Sequence, residues 1–141
     1  MYIRIFAQAF SGLLLGASLV VGFAPLPSSF WGNTFFGIPY QVAVALVPLA
    51  TAGCAALAAF LLLRNPTNRQ RSPFRLGVGI GSLAFVFYFV FHVSAYAAVR
   101  GIAESGAFAG ALALFGGIFF LPVCCLVSMA TEFAARRYAA P

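Results

Sequence analysis

The chain contains no aspartate and no lysine, and it has only two glutamates, one histidine and one tryptophan. Charged residues make up 7% of its 141 positions, against about 25% in a soluble domain. Ten charged side chains cannot coat a water-facing surface, and a mean hydropathy of +1.03 points the same way. Without aspartate there is no Ser-His-Asp set, and Ser94, two residues from His92, points to a different helix face. Most of the glycines fall inside apolar runs, and no glycine-rich phosphate-cradling loop is present. The three cysteines, Cys54, Cys124 and Cys125, show neither metal-site nor disulfide spacing and read as small buried hydrophobes. A soluble enzyme is therefore excluded, hydrolysis by the chain alone is not expected, and no metal site is expected.

What the chain does have is 63% hydrophobic residues, arranged in long runs. All eight cations are arginines, and residues 5 to 63 carry no charge. Arginine without lysine suggests a GC-rich coding sequence and hence a bacterium. The arginines lie between apolar runs, which is the orientation signal of a polytopic membrane protein rather than a face for nucleic acid.

About 20 residues at 1.5 Å each cross the hydrocarbon layer. The run after Arg4 shares the charge-then-apolar pattern of a signal peptide, but we read it as a first span over about 4–23. Residues 24–38 mix prolines, glycines and serines with aromatic side chains. Irregular backbone cannot face lipid unpaired, so this segment is expected as an outer loop lying in the interface, anchored by Trp31 and Tyr40. A re-entrant loop is the alternative. The second span is expected over about 39–63, opened by Pro39 and bent at Pro48. A basic bend covers 64–73, where two prolines argue against helix. A third span is expected over about 74–99, a connection over Gly101 to Ser105, a fourth span over about 106–133 bent at Pro122, and a short tail over 134–141. The expectation is one all-α transmembrane domain over 1–141, an integral membrane four-helix bundle. With both termini in the cytoplasm, seven arginines lie inside and only Arg100 outside, a strong positive-inside bias.

Few polar groups interrupt the spans. Tyr88, His92 and Tyr96 are spaced by four and form one stripe on the third helix. Such a stripe could hold a quinone headgroup, relay a proton or supply one haem ligand. Interhelical hydrogen bonding that locks this helix against its neighbours or another subunit is the preferred reading, because a single histidine cannot ligate haem from both sides. No cofactor is required. Glu132 with Arg136, and Arg100 with Glu104, are four apart and are expected as pairs near the membrane boundaries. Gly12 with Gly16, Gly77 with Gly81, and Gly106 with Gly110 show the spacing that flattens a helix face for close packing. Arg64, Arg69, Arg71, Arg75, Arg136 and Arg137 are expected on the cytoplasmic side, within reach of anionic headgroups.

This equipment suits an accessory or scaffolding subunit of a larger complex in the bacterial inner membrane, with other membrane subunits and lipids as partners. A small homo-oligomeric channel or carrier, and a quinone- or haem-anchoring subunit using Tyr88, His92 and Tyr96, are the alternatives. Four apolar helices around a basic bend are an outline shared by unrelated proteins and identify no family.

Overall fold

The computed structural model describes residues 1–23, 34–35 and 38–139. Helix α1 (Tyr2–Phe23) is followed by two two-residue strands, β1 (Thr34–Phe35) and β2 (Ile38–Pro39), paired antiparallel with Thr34 opposite Pro39 and Phe35 opposite Ile38. Then come α2 (Tyr40–Arg64), the single turn α3 (Pro66–Arg69), α4 (Pro73–Arg100), α5 (Ile102–Phe115), a π-helical turn (Gly116–Phe120) and α6 (Leu121–Ala139). The reading of Trp31 and of the Tyr40 side chain as interfacial anchors lies outside the described residues.

Four continuous helical stretches, Tyr2–Gly22, Val42–Arg64, Pro73–Arg100 and Ile102–Tyr138, are long and apolar enough to cross a membrane, with mean hydropathies of 1.8, 2.2, 2.0 and 2.3. Large apolar side chains such as Phe6, Phe10, Leu14, Leu49, Val90, Ile118 and Phe133 point outward. In water this surface would drive aggregation; in lipid it is solvated. The protein is an all-α, multi-pass membrane four-helix bundle.

The helices pack in a ring, α1 on α2, α2 on α4, α4 on α6 and α6 back on α1. Small residues close the α2–α4 seam, where Ala55, Ala58, Ala59 and Ala84 are buried with Leu63, Leu76 and Ile80. A second cluster of Val20, Ala43, Val47 and Tyr88 fills the far end. In lipid, alanine seams bring backbones close enough for dispersion to hold them.

The connections differ from the sequence reading in three places. The bend at 64–73 contains a helical turn despite its prolines, because Pro66 occupies the first helical position, where its missing N–H costs nothing, and Asn65 Oδ1 accepts from the Thr67 N–H at 3.0 Å. The expected connection from Gly101 to Ser105 shrinks to Gly101 alone. At φ +91° this residue takes a conformation that a side chain would strain, so it ends α4 and lets α5 begin at Ile102. The fourth span therefore starts earlier than Gly106 and runs past Phe133. Finally, the irregularity near Pro122 is a π-turn placed just before it. Proline has no N–H for the carbonyl four residues back, and the Leu121 N–H reaches the Gly116 carbonyl, five residues back.

Ser72 caps α4 by accepting the Arg75 N–H at 3.3 Å, followed by Pro73 at the first position. Ser72→Ala should lower stability by about 1 kcal/mol, read as a small drop in the unfolding midpoint in detergent with unchanged helicity.

Candidate functional site

The most polar constellation inside the bundle lies where α1 meets α6. Arg4 and Gln8 are one turn apart on α1, and Ser128, Glu132 and Arg136 are successive turns on α6, so two polar stripes face each other. Glu132 is fully buried, and its Oε2 accepts from Arg4 Nε at 2.9 Å and Nη2 at 2.5 Å. The Gln8 amide, also fully buried, donates to the Ser128 carbonyl at 3.0 Å and to Glu132 Oε1 at 3.4 Å. Arg136 Nε stands 3.9 Å from the same carboxylate. The expected Glu132 and Arg136 pair is thus present, but as the outer part of a buried cluster whose principal cation is Arg4. A carboxylate in this setting needs a counter-ion and filled lone pairs, and the cluster supplies both.

The same end of the bundle gathers the basic bend. Arg69 Nε donates to the Leu63 carbonyl at 2.7 Å and Asn68 Nδ2 to the Leu62 carbonyl at 3.0 Å, so two bend side chains cap the open carbonyls of α2. Arg69 also meets the Met1 sulfur at 3.1 Å. Arg136 Nη2 donates to the Arg71 carbonyl at 2.5 Å and to the Arg69 carbonyl at 3.4 Å. The N-terminus, the bend and the end of α6 therefore meet at one end of the bundle. Arg64, Arg71, Arg75 and Arg137 are exposed there, and neither glutamate forms an ion pair with any of them among the described residues.

The Tyr88, His92 and Tyr96 stripe divides. Tyr88 and His92 are buried with ring centroids 4.2 Å apart edge to face, and Phe120 of the π-turn lies 5.1 Å from Tyr88. Tyr96, half-buried, stacks on Phe108 of α5 at 4.1 Å and 6°. Tyr88 and Tyr96 thus each pack against an aromatic ring of the fourth span. A narrow, half-open cleft runs between Gln8 and Tyr88, lined also by Ser11, Thr51, Cys124 and Val127. Among the described residues no three histidine, cysteine or acidic side chains group as a metal site.

The glycine pairs also separate. A methyl group on Gly12 would lie 2.7 Å from the Thr51 carbonyl, and one on Gly16 2.7 Å from Pro48 Cα, so this pair seats α1 on α2. Gly77 abuts the Met129 backbone, and a methyl on Gly81 would lie 2.6 Å from Cys125 Cα, seating α4 on α6. Gly106 and Gly110 differ: among the described residues nothing lies within 4 Å of where a side chain would begin. Arg100 and Glu104, expected as a pair, are both exposed and sit on different helices because Gly101 interrupts the run; no ion pair joins them among the described residues.

Sequence reasoning missed Arg4, Gln8 and Ser128. The signal was available: Arg4 is the only charge before residue 64, Gln8 follows it at i+4, and Ser128 precedes Glu132 at i−4. Comparison with protein-family models, curated proteins and solved structures finds no match.

Proposed function

We propose that this protein is a small accessory subunit of a larger complex in the bacterial cytoplasmic membrane, with both termini and the basic bend in the cytoplasm. The observation that carries the reading is the open Gly106–Gly110 face of α5. The other two glycine pairs each seat a neighbouring helix; this one has the same spacing and, among the described residues, no helix upon it. The fourth span is also the least enclosed, 11% buried in its most apolar window against 39% for α4. In lipid a flattened glycine face gains little from acyl chains but much from a second helix backbone, so α5 is the surface by which the bundle joins its assembly. The orientation rests on the arginine asymmetry. No catalytic role is included, since the polar groups of the bundle lock helices together.

The test is gentle extraction of the native protein with identification of what accompanies it. Larger membrane subunits should co-purify and should be lost with Gly106→Leu or Gly110→Leu, while the melting temperature of the isolated chain stays the same. Recovery of the wild type alone, or as a defined homo-oligomer that conducts ions in liposomes, would contradict the accessory reading.

A further inference from the structure

We propose that the arginine-bearing end of the bundle is a binding site for anionic phospholipid, recognised through the lipid phosphate. Seven arginines and one glutamate lie at this end, leaving six positive charges, whereas Arg100 and Glu104 leave the opposite end neutral. The one local carboxylate, Glu132, is fully buried and already shared by Arg4 and Arg136. The protein therefore offers no side-chain counter-charge to Arg64, Arg71, Arg75 and Arg137, all exposed.

Their position selects a lipid over a soluble anion. Arg64 ends α2 and Arg75 lies in the first turn of α4, beside the outward-facing Leu61 and Phe74, while Arg137 lies between the exposed Phe133 and Tyr138 on α6. These arginines thus lie on α2, the bend, α4 and α6 at the points where the apolar run of each helix stops, which in a bilayer is the depth of the phosphate groups. A guanidinium pairs with a phosphate through two parallel N–H donors, a geometry that an ammonium lacks, in keeping with a chain that uses arginine alone. The platform is also held in place, because Arg69 caps α2 and Arg136 fastens the bend to α6.

The proposal stands apart from the accessory role, since lipid retention is a property of the isolated chain and does not involve Gly106 or Gly110. The experiment is native mass spectrometry of the delipidated protein in mild detergent, offered equal amounts of phosphatidylglycerol and phosphatidylcholine. The wild type should retain phosphatidylglycerol preferentially, and millimolar inorganic phosphate should not displace it. A chain carrying Arg64→Gln, Arg71→Gln, Arg75→Gln and Arg137→Gln should lose the preference, by about fivefold per arginine removed. The single changes Arg71→Gln and Arg137→Gln, at exposed side chains, should each give a proportionate part of that loss with unaltered melting. Equal retention of the two lipids by the wild type, an undiminished preference in the fourfold variant, or displacement by inorganic phosphate would overturn the proposal.

Discussion

Replacing Glu132 by leucine should destabilise the bundle by about 3–5 kcal/mol, the cost of leaving a buried cation without its partner. Arg4 is 13% exposed and makes both of its side-chain hydrogen bonds to Glu132 Oε2, so it has no ready alternative. Gln8 would keep its bond to the Ser128 carbonyl and lose the weaker one to Glu132. The paired change Arg4→Met with Glu132→Leu should recover most of the loss, because removing both charges abolishes the desolvation penalty together with the attraction. A double-mutant cycle on unfolding in detergent reads the coupling directly. If the single change at Glu132 left the melting temperature unaltered, the carboxylate would not be what holds α1 on α6.

The second large effect is steric. Gly81→Ala would place a methyl group 2.6 Å from Cys125 Cα and 2.7 Å from the Cys124 carbonyl carbon. Both neighbours are backbone and cannot rotate away, so α4 and α6 must separate. Overpacking of this kind costs about 1–3 kcal/mol, and Gly77→Ala, against the Met129 backbone, should behave alike. Gly106→Ala is the internal control, because among the described residues a methyl group there meets nothing within 4 Å. Thermal melts of the three variants should fall into two groups, with Gly77 and Gly81 strongly lowered and Gly106 unchanged. Equal behaviour of all three would contradict the helix contacts described above.

That four long apolar helices are present was legible because lipid imposes one strong rule: a helix must stay apolar for its whole length. The arginine-bearing bend was legible for the same reason, since charge is tolerated only where the apolar run stops. Local backbone chemistry was less so. The helical turn at Pro66 and the π-turn before Pro122 depend on which hydrogen bond each proline lacks, and hydropathy does not encode that. The single-residue joint at Gly101 depends on one positive φ angle.

The polar cluster illustrates a different limit. In the sequence Glu132 reads as an ionisable group near the end of its helix, yet its main partner lies 128 positions away at Arg4. Spacing along one helix finds Arg136 and cannot find Arg4. The two stripes become informative only together, once α1 and α6 are known to be neighbours in the ring. The glycine pairs share this dependence: all three look alike in sequence, and only the arrangement of helices separates the two that seat a neighbour from the one that stands open.

Both the accessory role and the lipid site require the N-terminus, the bend and the end of α6 to share one side of a membrane. In a chain without its three native thiols, single substitutions Thr67→Cys, Tyr138→Cys and Ala103→Cys test this with a membrane-impermeant maleimide in intact and in permeabilised cells. Ala103→Cys should be labelled in intact cells, and Thr67→Cys and Tyr138→Cys only after permeabilisation. Labelling of Thr67→Cys and Tyr138→Cys from opposite sides would contradict the four-span bundle.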